Sequence, residues 1–522
     1  MKVSTARFFL IAVLLITASL YGVFIARTAV NVRGQTSFTL VDDAMISMRY
    51  ARNLASGAGL VWNAGDPPVE GFTNFLWVGL MAVFHLLPLS PSAIALAVMV
   101  CSGASLTANL FMVWKIAREV SPETWPGPAL AILLTGLYFP LVFWSLRGLE
   151  LGFLFFLLNA STLCVLRLQR DSSVANVVLL GLCLSLALLT RPDTAVQASV
   201  LLGASLLFLR RDGRYVAGIM LVVGVAAVGA GIAVFRYCYF GDIAPNTYYL
   251  KVTGVGVTER LGAAWTMFVE KSVPKTLVLL VVTGGVAFVP DARLRKAVAL
   301  FLALFLAQAA YNMYVGGDFA EGLVGGEGRF LAQAFGPLII AYSLVAPHLF
   351  GIRPWEKGAA APLRLEGCYV FLLVGLGSAA LLSGTEWERW RAENAPLLRS
   401  DIERMNLGLV IEQGTRSDAV VAVHAAGNIP YYCRRRVIDL LGKSDRVIAR
   451  GPARGRFIPG HNKWDYDYSI GRLSPDIIAD GWEPLWEYLR DHPGRYSLLP
   501  PHGIFVLSQS PRIIPGALSR DD

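Results

Sequence analysis

Long apolar segments recur along the first 385 residues of this chain and alternate with short polar gaps. A run of roughly 20 apolar residues is long enough to cross the hydrocarbon core of a bilayer as an α-helix. With 55% hydrophobic and 16% charged residues, the chain is also too apolar for an ordinary soluble protein. We therefore predict a polytopic α-helical membrane protein with about 11 transmembrane helices. The predicted spans are residues 8–27, 93–117, 128–146, 150–168, 174–190, 195–209, 215–235, 275–290, 296–314, 330–349 and 367–383.

Basic residues indicate how these helices are oriented. Lys2 and Arg7 precede the first run, which places the N-terminus in the cytoplasm by the positive-inside rule. Arg27 stands where a cleavable signal peptide would carry small residues, so we interpret residues 8–27 as an uncleaved anchor rather than a signal peptide. Five further basic clusters fall in every second gap: Lys115 with Arg118, Arg167 with Arg170, Arg210 with Arg211 and Arg214, Arg293 with Arg295 and Lys296, and Arg353 with Lys357 and Arg364.

All five clusters lie in the cytoplasm only if residues 72–88 stay at the membrane interface, or re-enter it, instead of crossing. The other gaps and the C-terminus then face outward. The net charge of +9 is explained by cytoplasmic loops that meet anionic lipid of the bilayer, so we predict no nucleic-acid partner.

The composition changes at about residue 385, where apolar runs shorten and charged residues and prolines increase. We therefore divide the chain into a transmembrane domain, residues 1–384, and an extracytoplasmic α/β domain, residues 385–522. Four segments predict strands: "AVVAVH" (419–424), "RVIDLLG" (436–442), "PDIIAD" (475–480) and "YSLLPPHGIFVLS" (496–508). The segment "EPLWEYLRDH" (483–492) predicts a helix.

Ionisable and aromatic residues gather in the gaps that face outward. These gaps are "DDAMISMRYARN" (42–53), "PVEGFTN" (68–74), "SLRGLE" (145–150), "TRPD" (190–193), "RYCYFGDIAPNTYYLKV" (236–252) and "YVGGDFAEGLVGGEGRF" (314–330). Ionisable groups close to a membrane are costly and usually functional. Their concentration on one side of the membrane predicts a single shared site.

The chemistry of such a site is limited by what its compartment supplies. No ATP or nucleotide sugar is available outside the membrane, so an enzyme there takes its activated group from a lipid carrier, usually a polyprenyl phosphate. A carboxylate can serve as general base for the acceptor hydroxyl, and arginines can hold the leaving phosphate. The chain has no Walker A, H-E-x-x-H or C-x-x-C motif, which disfavours a nucleotide-driven pump and a metal-thiolate site.

These features together resemble the GT-C class of lipid-linked glycosyltransferases. More narrowly, "DDAMISMRYARNLASGAGLVWNAGDPPVEGFTNFLW" resembles the opening of terminal arabinofuranosyltransferases. Five later segments are similar to the same group, and the likeness extends to about residue 480: "LRGLE", "LTRPD", "APNTYYLK", "GGDF…GRF" and "GNIPYY…VIDLLG…PGHNKWDYDY". The segment "GEGRF" departs from the more apolar lead-in that is common there, which leaves the contacts of Arg329 open.

The resemblance implies that Asp42 or Asp43 is the catalytic base. We favour Asp42 as the base and Asp43 as an orienting residue or metal ligand, against the alternative that Asp42 only caps an interfacial helix. We predict no required cofactor, because arginines can hold a lipid monophosphate, although the aspartate pair leaves room for a divalent metal ion.

Further residues are assigned to the two substrates. The candidates for binding the donor phosphate are Arg191, Arg329 and Lys251. The candidates for binding the sugar or the acceptor are Glu70, Asn74, Glu150, Asn246, Tyr248, Tyr249, Asp318 and Trp464. Four alternatives stay open: ion pairs between the glutamates and rim arginines, a structural pair of Arg191 with Asp193, an interfacial belt of tyrosines, and a loop anchored by Trp464.

The sequence thus predicts an inverting glycosyltransferase in the bacterial inner membrane, with its site and C-terminal domain facing the periplasm. It would transfer a sugar, with arabinofuranose as the first choice, from a polyprenyl phosphate to a hydroxyl of a cell-envelope glycan or glycoprotein. One alternative is a GT-C enzyme that uses mannose or another hexose. A second alternative is a transporter or flippase of lipid-linked sugars, which the absence of an inverted repeat disfavours.

Overall fold

The computed structural model describes residues 2–32, 34–122, 124–319, 321–324, 326–352, 361–500 and 502–518. Within these ranges the chain folds into 21 α-helices and seven β-strands. The helices up to residue 349 are α1 (Lys2–Arg27), α2 (Asp42–Ala55), α3 (Phe75–His85), α4 (Pro91–Val120), α5 (Pro126–Leu137), α6 (Phe139–Leu146), α7 (Leu151–Leu168), α8 (Val174–Thr190), α9 (Ala195–Arg211), α10 (Tyr215–Phe240), α11 (Asn246–Val252), α12 (Val257–Lys271), α13 (Val273–Gly284), α14 (Ala292–Val315), α15 (Glu321–Val324) and α16 (Arg329–Leu349). The later helices are α17 (Ala361–Glu393), α18 (Leu398–Gly414), α19 (Asn428–Cys433), α20 (Arg446–Arg450) and α21 (Glu483–Asp491).

The described residues contain eight helical segments that are long and apolar enough to cross a membrane. The number becomes ten if two bent pairs each count as one span: α5 with α6, at an angle of 49°, and α12 with Val273–Phe288, at 78°. The eleventh predicted span is α8, which has 17 residues. Every predicted run coincides with a helix or a bent pair, so the prediction of a polytopic helical membrane protein is confirmed. Of the last basic cluster, Arg353 and Lys357 lie outside the described residues.

The segment predicted not to cross the membrane contains the short helix α3. Its 11 residues extend for about 16 Å, roughly half of the hydrocarbon thickness of a bilayer. The structure therefore agrees with an interfacial or re-entrant segment at residues 72–88. The side of the membrane on which each loop lies stays a prediction.

The C-terminal part forms a five-stranded mixed sheet in the order β4-β3-β5-β7-β6. Its strands are β3 (Val420–Val423), β4 (Arg436–Asp439), β5 (Ile477–Ile478), β6 (Tyr496–Leu499) and β7 (Ile504–Leu507), while β1 (Val30–Val32) and β2 (Gln35–Ser37) form a separate hairpin. β3 is parallel to β4 and β5, and β7 is antiparallel to β5 and β6. All four predicted strand segments and the predicted helix α21 are confirmed. Helix α17 continues through residue 385 to Glu393, so no break in the backbone marks the predicted domain boundary.

Helix α2 joins the membrane helices to the C-terminal part, and its arginines explain the charge that follows the first span. The Arg49 guanidinium is buried and donates to the backbone carbonyls of Trp62 and Arg435 at 2.6 and 2.8 Å. Arg52 donates to the carbonyl of Tyr431, in α19, at 2.6 Å. The two arginines therefore fix the C-terminal part against α2 and the segment that follows it.

Candidate active site

A cavity of about 660 Å³ lies between the membrane helices and the C-terminal part. Its wall is built from segments that are far apart in sequence, including the start of α2, the turn before α7, helix α11 and the start of α16. Nine of the 13 predicted site residues line it: Asp42, Asp43, Asn74, Glu150, Arg191, Tyr248, Lys251, Asp318 and Arg329. The structure thus brings most of the predicted residues to one place.

The Asp42 carboxylate binds the C-terminal part rather than its own helix. Its Oδ1 accepts a hydrogen bond from the backbone N–H of Asn428 at 2.8 Å, and its Oδ2 accepts one from Gly427 at 3.2 Å. The N-cap of α2 is Val41, and Asp42 is already the first residue of the helix, so the alternative that Asp42 only caps α2 is wrong. Among the described residues Asp42 forms no ion pair within 4.0 Å, although Arg404 and Lys443 are close enough to interact with its charge.

The Asp43 carboxylate lies between two cations. Its Oδ2 is 2.8 Å from Arg329 Nη1, and its Oδ1 is 3.0 Å from Lys443 Nζ. Burial alone would raise the pKa of Asp43, but Lys443 and Arg329 together hold this pKa well below its usual range. A carboxylate in this state is a poor proton acceptor. The ion pairs of Asp43 thus agree with Asp42 as the base and Asp43 as an orienting residue, and both roles stay predictions.

Arg329 is the first residue of helix α16, and a second carboxylate, that of Asp318, binds its guanidinium group. Asp318 accepts hydrogen bonds from its Nε at 2.8 Å and from its Nη2 at 3.1 Å. Glu327, two residues before Arg329 in the "GEGRF" segment, is fully buried. It pairs with Lys275 at 2.5 Å and accepts a hydrogen bond from Ser272 at 2.9 Å. Because Glu327 is neutralised there, it leaves Arg329 directed into the cavity.

Lys251 supplies a further cation to the cavity. Its ammonium lies 4.3 Å from the centre of the Phe330 ring, and among the described residues it forms no ion pair within 4.0 Å. Burial lowers the pKa of Lys251 to about 8, although the nearby Asp318 raises it. A partly desolvated ammonium without a paired carboxylate is well suited to bind an anionic ligand.

A series of hydrogen-bonded polar side chains lines another part of the cavity wall. Ser47 donates to Asn74 at 2.9 Å, and Asn74 donates to Glu150 at 2.9 Å. Glu150 is 2.7 Å from Arg191, which also binds Asp193 through two hydrogen bonds at 2.9 and 3.1 Å. The alternative of a structural pair between Arg191 and Asp193 is confirmed. Glu150 and Asp193 balance the charge of Arg191, as Asp43 and Asp318 balance that of Arg329, so Lys251 is the one predicted phosphate ligand that forms no ion pair within 4.0 Å among the described residues.

Four predicted residues lie outside the lining of the cavity: Glu70, Asn246, Tyr249 and Trp464. Glu70 is buried and accepts three hydrogen bonds from Arg236 at 2.8–3.0 Å. Burial raises the pKa of Glu70 to about 7, even though the charge of Arg236 opposes this increase. Asn246 donates to the backbone carbonyl of Gly442 at 3.3 Å. Glu70 and Asn246 thus lie outside the cavity lining with protein partners of their own, and their assignment to the sugar site stays a prediction.

The two predicted aromatic residues outside the lining have structural contacts. The Tyr249 hydroxyl donates to Asp242 at 2.7 Å. Trp464 packs edge to face against Trp482, with 4.9 Å between ring centres. The assignment of Tyr249 and Trp464 to sugar or acceptor binding stays a prediction, whereas Tyr248 lines the cavity with 41% of its surface exposed.

Sequence reasoning missed the residues that the C-terminal part contributes. Asp401 and Arg147 form a fully buried ion pair at 2.7 Å, and Asp401 also accepts a hydrogen bond from the Asp42 backbone N–H at 3.1 Å. Burial raises the pKa of Asp401 to about 7; Arg147 opposes this increase and Asp42 adds to it. Lys443 directly follows the "VIDLLG" segment, which was the one available signal for it. Nothing in the sequence pairs Asp401 with Arg147.

The described residues contain no group of three or more His, Cys, Asp or Glu side chains that is placed to hold a metal ion. The Asp43 oxygens face an arginine and a lysine. His424 and His461 line the cavity, and burial, aided by Lys443, lowers their pKa values to about 4 and about 3. This set of groups suits a phosphate held by cations better than a divalent metal ion.

The fold is that of the GT-C lipid-linked glycosyltransferases. The chain is similar to the crystal structure of the Archaeoglobus fulgidus oligosaccharyltransferase tethered with an acceptor peptide, with a TM-score of 0.53 and 12% sequence identity. The similarity covers 98% of this chain and 76% of that chain. At this level of identity the likeness shows the fold alone.

Two curated sequences are distant relatives. The terminal beta-(1->2)-arabinofuranosyltransferase of Corynebacterium glutamicum is 25% identical over 392 residues, which cover 68% of this chain and 54% of that protein. The protein of the same name from Mycobacterium tuberculosis is 26% identical over 464 residues, which cover 82% of this chain and 69% of that protein. The match thus spans about half the length of the first relative. A family model described as "Domain of unknown function (DUF8728)" matches residues 393–505.

Proposed function

We propose that this protein is a membrane glycosyltransferase that moves a sugar from a polyprenyl-phosphate donor to a hydroxyl group of a cell-envelope glycan or glycoprotein. The observation that carries this proposal is the single cavity in which the acidic pair, Asp42 and Asp43, faces Arg329 and Lys251. A general base and a binding site for an anionic leaving group are the two requirements of this reaction. The GT-C fold agrees with them.

The reaction inverts the anomeric centre. The acceptor oxygen attacks the anomeric carbon from the face opposite the phosphate, and the bond between that carbon and the phosphate oxygen breaks. Its electron pair leaves with the phosphate, while Asp42 takes the proton of the acceptor hydroxyl. Asp42 suits this role because its two hydrogen bonds come from the neutral amides of Gly427 and Asn428, which orient the carboxylate without cancelling its charge.

The leaving group gains charge as the bond breaks. The donor is a phosphodiester with one negative charge, and the released lipid monophosphate carries about 1.5–2 charges at neutral pH. Arg329 and Lys251 would stabilise this developing charge, since both line the cavity and Lys251 has no paired carboxylate among the described residues. Ser47, Asn74 and Tyr248 remain as groups that would contact the sugar or the acceptor.

Arabinofuranose is the sugar that we propose, because both curated relatives are named terminal beta-(1->2)-arabinofuranosyltransferases. The positive-inside pattern of the sequence supports a site on the outer side of the bacterial inner membrane. A polyprenyl phosphate reaches such a site from the bilayer, and its acceptor is then a polymer or glycoprotein of the cell envelope.

Mass spectrometry of surface glycans from a deletion strain tests this proposal. We expect the loss of terminal pentose units and their return on complementation with the wild-type gene, but not with the Asp42→Asn variant. Loss of a hexose would replace arabinofuranose with another sugar. Unchanged glycans together with impaired uptake of a soluble substrate would favour a transporter and contradict the proposal.

A further inference from the structure

The turn after strand β4 brings a lysine from the C-terminal part into the cavity. Asp439, the last residue of β4, accepts backbone hydrogen bonds from Leu441 and Gly442 at 3.0 and 3.1 Å and from Ser444 at 2.6 Å. This turn presents Lys443, whose side chain is 15% exposed and lies 3.0 Å from Asp43.

The turn is also fixed from the membrane side. The Asn246 side chain donates to the Gly442 carbonyl at 3.3 Å, and the Tyr50 hydroxyl donates to Ser444 at 3.4 Å. Gly71 packs so closely beneath the turn that an added Cβ would lie 2.9 Å from the Lys443 carbonyl oxygen. The backbone at Lys443 is therefore fixed from both sides by contacts that do not involve Asp43.

We infer that Lys443 is a catalytic residue that binds the donor phosphate together with Arg329, and that Asp43 occupies this phosphate position when no donor is bound. This inference rests on the proposed polyprenyl-phosphate donor. It assigns a chemical role to the matched domain of unknown function, which would complete the active site instead of serving only as an attached module.

The geometry of Asp43 carries the inference. One carboxylate bridges Arg329 Nη1 and Lys443 Nζ, at 2.8 and 3.0 Å. A phosphate presents a pair of oxygens in a similar arrangement and is bound by the same cations. Asp43 binds both Lys443 and Arg329, and Asp318 binds Arg329, while Lys251 forms no ion pair within 4.0 Å among the described residues. An incoming phosphate could therefore bind Lys251 and take over the contacts that Asp43 makes with Arg329 and Lys443.

Binding of undecaprenyl phosphate to the purified full-length protein in nanodiscs tests this role, with undecaprenol as the control that lacks the phosphate. Lys443→Met should weaken phosphate-dependent binding about tenfold, as expected for a lost hydrogen bond between charged groups. Lys443→Arg should retain most of the binding. Asp43→Asn should bind more tightly than the wild type, because the competing carboxylate is removed.

Lys443→Met and Asp43→Asn are expected to change the affinity for undecaprenyl phosphate in opposite directions, which distinguishes ligand binding by Lys443 from a role in docking the C-terminal part. If Lys443 only anchored the C-terminal part through Asp43, Lys443→Met and Asp43→Asn would break the same contact and change binding in the same direction. Arg436→Met is the matched control, since Arg436 forms an exposed ion pair with Asp66 across the same two parts of the chain at 3.1 Å. It should bind the probe like the wild type.

Two outcomes would overturn the inference in different ways. Equal binding by the wild type and Lys443→Met, or weakened binding by Asp43→Asn, removes the role of Lys443 and leaves the proposed function intact. Wild-type protein that binds undecaprenyl phosphate no better than undecaprenol would refute the proposed donor class, and the assignment of Lys443 with it.

Discussion

Replacement of Gly427 by alanine probes the contact between the proposed base and the C-terminal part. A Cβ at this position would lie 1.8 Å from the backbone oxygen of Asp42. Carbon–oxygen contacts in proteins are about 3.3 Å or longer, so the loop has to withdraw by about 1.5 Å. This movement breaks the hydrogen bonds that Gly427 and Asn428 donate to the Asp42 carboxylate at 3.2 and 2.8 Å.

The expected loss of stability follows from the breakage of these two hydrogen bonds. A hydrogen bond to a charged group contributes about 1.5–3 kcal/mol, and water entering the cavity replaces part of the loss, so we expect destabilisation of about 2–4 kcal/mol. Displacement of the base by more than 1 Å should lower the rate of transfer about 100-fold. The apparent melting temperature and the transfer of labelled sugar in nanodiscs measure both effects.

Gly256→Ala provides the control for this substitution, because its Cβ would meet only Thr258 Oγ1 at the ordinary distance of 3.8 Å. This variant should melt and react like the wild type. Wild-type stability and transfer by Gly427→Ala would refute the close packing of Asp42 against the C-terminal part.

Three further predictions concern the donor site and the topology. Arg329→Ala should raise the KM for the lipid donor about tenfold or more while the KM for the acceptor changes little. Steady-state kinetics with each substrate varied in turn test this, and an equal rise of the two KM values would contradict it. Donor affinity should fall as the pH rises from about 7 to about 9, because Lys251 loses its proton near pH 8 and only its charged form attracts phosphate. The Lys251→Arg variant should show no such dependence on pH, because arginine stays charged in this range. In a Cys238→Ser background, a membrane-impermeant thiol reagent applied to intact cells should label a cysteine at Ser400 but not one at Asp212, and labelling at Asp212 would reverse the predicted orientation.

The membrane helices were predictable because the bilayer imposes a simple rule. A backbone in hydrocarbon has to satisfy its own hydrogen bonds, so an apolar run of sufficient length becomes a helix. The strands of the C-terminal sheet were also recognisable from short runs rich in β-branched residues. Helix α12 carried no comparable signal, because its mixed residues fit neither a span nor a strand and its position depends on packing against α14.

The site was predictable where its residues lie in local motifs and unpredictable where they meet by tertiary contact. Asp42 and Asp43 lie in the first gap between apolar runs, and their charge next to a membrane marks them. The partner of Glu70 could not be chosen, because several rim arginines were equally available in sequence. Arg236, which binds it, is 166 residues away, and Arg147 is 254 residues from Asp401. Such pairings follow from the fold and from no local pattern.

The role of Asp42 as general base is tested most directly by sugar transfer from a polyprenyl-phosphate donor with purified Asp42→Asn and Asp43→Asn variants. Asparagine at position 42 can accept only one of the two backbone hydrogen bonds, so melting temperature and probe binding are measured in parallel. We predict that Asp42→Asn loses modest stability, still binds undecaprenyl phosphate, and transfers sugar about 10²–10⁴-fold more slowly. Near-normal transfer by Asp42→Asn beside an inactive Asp43→Asn would move the base to Asp43, and full activity of both variants would contradict a carboxylate base at this site.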